Sequence, residues 1–551
     1  MYTKLTNGKV YDPVHGINGE YRDIYIRDGY ITRKPSSNVK IDQTYDMQGK
    51  IIMAGAIDLH THIGGGKVNI ARMMLPEDHK ADLVNKTELT RSGCGYAAPS
   101  TLTAGYRYAE MGYTACFEPA MLPANARQAH MEMADTPMVD KGAYAMIGSD
   151  DFFLRMLASK KDQAAISDYV GWIINATQAL GIKVVNPGGI SAFKFNQRQL
   201  DLDEQNQHYG ISPREILVAL MRAVTELGIP HPLHVHGCNL GVPGNVETTL
   251  ETIRAAEGMR MHITHIQFHS YGTEGDKQFS SGAAEIAEAV NKNPNISIDV
   301  GQILFGQTVT ASGDSMRQYA GHWHAHPKKW VVMDIECDAG CGVVPFKYRD
   351  KNFVNALQWA IGLELFLLVD DPWRIFLTTD HPNGAPFTSY PHLIRLLMDK
   401  SFRNDMLSTI NKEAAAASTL SSIDREYSLY EIAIMTRAAP ARSLGLKNRG
   451  HLGSGAVADI TVYTDKKNKE KMFSKPDYVF KNGELIVRNG KIVKVVQGAT
   501  HTLRPEFDMG IEKSLNLYFD KYQTMSLGNF KIDDDEIIEH GNGKIIVQPC
   551  M

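Results

Sequence analysis

The chain has 551 residues, 43% of them hydrophobic and 22% charged, with a net charge of −4. That length points to several domains or one large barrel with additions, and the composition excludes disorder and collagen-like repeats. The slight acidity argues against binding nucleic acid through bulk charge, no run of about 18 apolar residues spans a membrane, and six cysteines are too few for a disulfide scaffold. The expectation is a cytoplasmic protein without nucleic-acid or membrane partners.

From the N-terminus, Leu5–Val10 around Asn7-Gly8 and Ile24–Ile31 around Asp28-Gly29 read as hairpins. The same grammar returns at Asn482-Gly483 and Asn489-Gly490. Lone hairpins are marginally stable, so the two ends are expected to pair into one small β-sandwich, 1–53 with 441–500. Between them strands and helices alternate. Ile190–Phe195 reads as a strand, and Ser212-Pro-Arg-Glu215 opens a helix with a capping box. His231–His236 follows as a strand, then a helix through Glu247–Ala256. Met261–Ile266 is the next strand, Ala283–Asn291 a helix, and Ile296–Val300 a strand. Such alternation implies parallel βαβ units, and its extent over 54–440 suits an elaborated (β/α)8 TIM-like barrel. No GxGxxG follows an early strand to favour an open doubly wound sheet. The pattern is interrupted at about 302–372, a stretch with a helix over Asn355–Val369 and three tryptophans, Trp323, Trp330 and Trp359. Aromatic surfaces often mark interfaces, which predicts a docking element; the alternative is that these rings pack the excursion's own core. The extension 501–551 carries an acidic run, Asp533–Glu536, read as a solvated face.

The chemistry gathers at strand ends. Asp58-Leu-His60-Thr-His62 closes an apolar run, and alternate strand residues share a face, so His60 and His62 point together. A lone H-x-H arises readily by chance. Here His234 and His236, then His262 and His265, and finally Asp380 end other predicted strands. In a barrel such positions converge on one face, where imidazoles and a carboxylate suit zinc. His130, His208 and His451 stand apart and read as structural or exposed. Lys194 sits in an apolar strand, where a buried ammonium is costly unless its stem snorkels. Cys337-x3-Cys341 lacks a second pair and does not read as a zinc knuckle. No iron–sulfur spacing is present.

In this order, His60-x-His62, Lys194, His236, His265 and Asp380 resemble the amidohydrolase superfamily. Gly189–Lys194 resembles the hydantoinase and dihydropyrimidinase segment whose lysine is carboxylated. A narrower resemblance rests on His262–Gly272, Asp299–Gln302, Asn355–Glu364, Asp370–Trp373 and Thr378–Gly384. These blocks are similar to the A subunits of formylmethanofuran dehydrogenases and of formyltransferase/hydrolase complexes.

The resemblance implies an amidohydrolase barrel and two zinc ions held by His60, His62, His236, His265, Asp380 and an N6-carboxylysine at Lys194. It implies hydrolysis, or the reverse formation, of the N-formyl amide of a methanofuran-type C1 carrier, with Asp380 as the proton-transfer residue. The partners implied are the other subunits of such a dehydrogenase or formyltransferase/hydrolase complex. His234 is expected behind the ligands, and His269 and Asn383 toward substrate. The alternatives are a hydantoinase-like cyclic amidohydrolase and a non-catalytic assembly subunit.

Overall fold

The computed structural model describes residues 1–80, 82–189, 200–310, 321–332, 342–541 and 543–551. It contains two main β elements.

The first is a sheet built from both ends of the chain. Its strands run in the order Lys491–Ile492, Glu484–Arg488, Tyr478–Lys481, Ile460–Thr464, Lys50–Ala54, Tyr2–Asp12, Ile17–Arg27 and Tyr30–Thr32. The junction between the two ends is antiparallel, with Ile460 opposite Ala54 and Thr464 opposite Lys50. Leu5, Val10, Ile26, Ile52, Ile460, Val462 and Phe480 form its buried core. Asp28-Gly29, Asn482-Gly483 and Asn489-Gly490 make the turns expected of them, each Asn or Asp at positive φ.

Asn7-Gly8 does not. It lies inside one continuous strand, Tyr2–Asp12, at a register shift between Leu5 and Gly8, with Asn7 at φ 64. That is a β-bulge rather than a hairpin. Glycine is required because Ile52 passes so close that a Cβ on Gly8 would lie 2.3 Å from its Cδ1.

The second element is a parallel sheet in the order Ile375–Phe376, Ile296–Asp299, Met261–Ile263, Leu233–His236, Gly181–Val185, Ala143–Met146 and Glu118–Met121. Ala56–Asp58 pairs in parallel with Tyr113–Cys116, and a parallel bridge between Thr61 and His381 joins the ends of the first and last of these strands. Helices Gln163–Thr177, Pro213–Glu226, Asn245–Ala255, Ala283–Lys292 and Phe353–Leu368 alternate with the strands. Ser212 caps Pro213–Glu226 through the full capping box with Glu215. The Ile190–Phe195 stretch lies outside the described residues; the parallel strand preceding Leu233–His236 is Gly181–Val185.

Within the excursion, Gly306–Thr310 pairs with Gly342–Tyr348. Trp359 is fully buried in helix Phe353–Leu368, so it belongs to the main core, whereas Trp323 is 66% exposed and packs on Trp330 at 5.3 Å. Cys337 and Cys341 lie outside the described residues. The tail is not merely solvated: Glu536 binds the Arg127 guanidinium at 2.6 Å, and Asp534 accepts a hydrogen bond from Gln178 at 2.8 Å. Of the solitary histidines, His130 is buried and donates from Nε2 to the Thr177 carbonyl, His208 is exposed, and His451 contacts the Lys447 carbonyl.

One buried cluster fastens terminal sheet and tail to the parallel sheet. Asp140 accepts from Arg449 at 2.9 Å and from the Ala499 N–H at 2.9 Å, and pairs with Lys481 at 2.9 Å. Lys481 and Arg449 also pair with Asp459, at 2.7 and 3.2 Å. Burial alone would raise the Asp140 carboxyl, but the Lys481 and Arg449 cations hold it well below the usual carboxylate range. Removing one partner of a buried pair strands the others' charge. Asp140→Asn is therefore expected to lower unfolding stability by about 3–5 kcal/mol, measured by denaturant titration. A loss comparable to that of a surface ion pair would contradict this role.

Candidate metal centre

At the C-terminal ends of the parallel strands, five imidazoles and a carboxylate meet. His60 and His62 follow strand Ala56–Asp58, His236 ends Leu233–His236, and His265 follows Met261–Ile263. Their rings, with that of His269, form one cluster: His60–His62 5.7 Å, His60–His265 5.7 Å, His236–His265 4.6 Å and His265–His269 5.4 Å between centroids. Asp380 Oδ1 lies 2.9 Å from His60 Nε2 and 3.2 Å from His62 Nε2. Two donor triads result, His60–His62–Asp380 and His236–His265–His269, each with its ligand atoms within 4.8 Å of one another and all residues buried.

The backbone bends sharply to present them. Asp380 and His265 both adopt positive φ, 51° and 35°. Non-glycine residues rarely occupy that region, and such strain concentrates at functional sites. The N–H of Asp380 donates to Thr378 Oγ1 at 3.0 Å, and the Asn383 amide donates to its Oδ1 at 3.0 Å.

Further carboxylates stand behind the histidines. His62 Nδ1 donates to Glu118 Oε1 at 2.8 Å, and Glu118 also accepts the N–H groups of Ile63 and Ala120. His60 Nδ1 lies 3.1 Å from Asp299 Oδ2. His234 is directed at the back of His60, 3.1 Å from its Nδ1, and reaches His231 at 2.9 Å on the other side. It thus lies behind His60, on the side away from Asp380.

The electrostatics call for a cation. Burial would lower the His60 pKa, yet Asp299 and Asp380 raise it to about 9. Burial would likewise raise the Asp380 carboxyl, but His60 and His62 hold it well below its usual range. A metal ion held among these groups would supply the positive charge that His60 otherwise carries as a proton. His265 Nδ1 is buried with no hydrogen-bond partner among the described residues. Neutral imidazoles and carboxylate oxygens are donors that zinc accepts, so the residues fit a divalent metal pair.

A cavity opens onto the cluster, lined by His62, Lys67, Lys183, His236, His265, Asp380 and Asn383. Asn383 therefore faces the space a substrate would enter, while His269 sits with the second triad. Lys194 lies outside the described residues. Two described lysines line the cavity, Lys67 and Lys183; Lys183 sits in the middle of strand Gly181–Val185 and is 2% exposed. Burial pushes its pKa down to about 8. Sequence reasoning missed it, although it is a lysine within an apolar strand, the same signal that singled out Lys194. It also missed Lys67 and Glu118, and gave Asp299 no role at the site.

Residues 43–493 match the model of the Amidohydrolase family. The chain belongs to the amidohydrolase family. Among curated relatives, the A subunit of the formyltransferase/hydrolase complex Fhc of Methylorubrum extorquens is 42% identical over 539 residues, 97% of each chain. "Protein FwdA" of Methanocaldococcus jannaschii is also 42% identical, over 556 residues and 96% of each. A chain in the crystal structure of the formyltransferase/hydrolase complex (FhcABCD) from Methylorubrum extorquens with methylofuran superposes with a TM-score of 0.93 at 41% identity, covering all of both chains. A D-aminoacylase shares the amidohydrolase fold alone, with a TM-score of 0.50 at 13% identity over 89% of this chain and 97% of its own. No helix among the described residues is long and apolar enough to cross a membrane.

A ligand that binds only the folded state raises the unfolding temperature. Adding Zn²⁺ to chelator-stripped protein should therefore raise it, saturating at about two ions per chain. A melting temperature indifferent to zinc would count against the metal centre.

Proposed function

We propose that this amidohydrolase cleaves, or in reverse forms, the N-formyl amide of a methanofuran-type C1 carrier. It does so as one subunit of a cytoplasmic complex, with its site at the mouth of a complete (β/α)8 barrel. The observation that carries the reading is the combination of near-full-length identity to the Fhc relative with the buried His60, His62, His236, His265 and Asp380 cluster.

The reaction is R–NH–CHO + H₂O → R–NH₂ + HCOOH. His60, His62 and Asp380 would hold one zinc ion, and His236 and His265 the other, with His269 beside them. Bound there, the pair would polarise the formyl oxygen and make water nucleophilic near neutral pH.

Asp380 does the proton work. Ionised and within hydrogen-bond reach of the cavity, it accepts the proton of the attacking water. It then delivers that proton to the nitrogen as the C–N bond breaks, base becoming acid. The Asn383 amide fixes the carboxylate's orientation at 3.0 Å. Lys67, 8% exposed and lining the same cavity, offers an ammonium to the negative charge that develops on the formyl oxygen and remains on formate.

Lys183 would take the role that the sequence resemblance gives to Lys194. Addition of its amine to CO₂ would form an N–C bond and release one proton, leaving a carbamate whose oxygens would help hold the metal. A pKa of about 8 leaves part of the amine neutral at neutral pH, the form that adds CO₂.

The test uses the protein purified with its native partner subunits. It should release formate from a formylated furan-amine carrier; turnover of hydantoin without formamide hydrolysis would sink the reading. Asp380→Asn should retain metal while losing roughly 10²–10⁴-fold in rate. Lys183→Ala should lose metal and activity together while Lys194→Ala keeps both. The opposite pattern would return the bridging role to Lys194.

A further inference from the structure

Asp299 ends strand Ile296–Asp299 and is completely buried. Four donors from two other strand ends converge on its carboxylate. Oδ2 receives Thr264 Oγ1 at 2.7 Å, His262 Nε2 at 3.0 Å and His60 Nδ1 at 3.1 Å. Oδ1 receives the backbone N–H of His265 at 2.7 Å. His262 is itself steadied by Ser297 Oγ, 3.0 Å from its Nδ1. Thr264 Oγ1 also contacts His60 Nδ1.

Each contact has a consequence for the cluster in front of it. A hydrogen on His60 Nδ1, directed at a carboxylate, leaves the Nε2 lone pair as the free donor, and Nε2 is the atom facing Asp380. The His265 N–H is held where the chain turns through φ 35, the bend that brings its ring over the cavity. One side chain thus sets the orientation of a histidine from each donor triad.

We infer that Asp299 is a positioning residue for both halves of the metal centre, fixing the His60 tautomer and the His265 bend so that the two triads keep their spacing. The inference rests on the two-metal reading above. Only an acceptor without hydrogens can serve all four donors. In Asp299→Asn one oxygen becomes an NH₂, so either the His265 N–H or the His60–His262–Thr264 group faces a donor.

The experiment compares wild type and Asp299→Asn, each with its native partner subunits. It reads zinc affinity by competition with a chromophoric chelator and the visible spectrum of the Co²⁺-substituted protein. Circular dichroism and sizing report fold and assembly. An assembled Asp299→Asn that binds zinc roughly 10–100-fold more weakly, with a shifted Co²⁺ spectrum, is the expected result. A merely structural role would lower stability and leave the Co²⁺ spectrum unmoved, which overturns the inference. If Asp299→Asn does not assemble, Thr264→Val decides. It removes one hydroxyl shared by Asp299 and His60 and should weaken zinc binding roughly 2–10-fold with a spectral shift; unchanged affinity and spectrum would overturn the proposal. A wild type that binds no metal overturns the two-metal reading together with this one. A wild type that binds two ions beside an unaffected Asp299→Asn overturns this one alone.

Discussion

His60 is pinned between two buried carboxylates, Asp299 on its Nδ1 side and Asp380 on its Nε2 side. Buried anions cannot stand unopposed, because a carboxylate removed from water costs several kcal/mol. The positive charge among them is either the proton that Asp299 and Asp380 hold on His60, raising its pKa to about 9, or a metal ion in its place. The other features of the site answer the same demand. Glu118 supports His62 as Asp299 supports His60. Lys183 is buried close enough for Asp380 to raise its pKa against the downward effect of burial. The tight bends at His265 and Asp380 point both side chains inward at once.

Such a charge cluster needs a scaffold that does not yield. Functional groups on strand ends are held more accurately than groups on loops. Here the strand ends are further tied together by the Thr61–His381 bridge and by the hydrogen bond from Thr378 Oγ1 to the His60 carbonyl at 2.8 Å. The distant Asp140 cluster works similarly on a larger scale. It joins groups separated by more than three hundred residues, fastening the terminal sheet and the tail to the parallel sheet. Its charges satisfy one another, so burial adds constraint rather than an unpaired ion.

Much of the fold was legible because its signals are local. Asp28-Gly29, Asn482-Gly483 and Asn489-Gly490 each encode a turn within two residues, and Ser212-Pro-Arg-Glu215 a helix start within four. Asn7-Gly8 misled because the same dipeptide also suits a bulge, and the choice depends on Ile52, forty-four positions away in sequence. In the acidic run Asp533–Asp535 are exposed as read, but the half-buried Glu536 has a partner no local signal shows, since Arg127 lies on a helix hundreds of residues earlier.

By itself the sequence determined which residue types end the strands. Apolar runs closed by His60-x-His62 and by Asp380 mark these residues as following strands, and they lie just beyond Ala56–Asp58 and Ile375–Phe376. The relatives' blocks then specify the family. Only the tertiary structure showed that Lys183 lines the cavity and which carboxylates stand behind the histidines. Lys183 and Lys194 both sit in apolar runs, and nothing local separates them. Gly181–Val185 pairs with Leu233–His236, Val185 lying opposite His236, and that pairing brings Lys183 to the cavity. Glu118 and Asp299 were hidden for the same physical reason. A hydrogen-bond acceptor is defined by the donors that approach it, and here those donors arrive from strands 34 to 239 residues away.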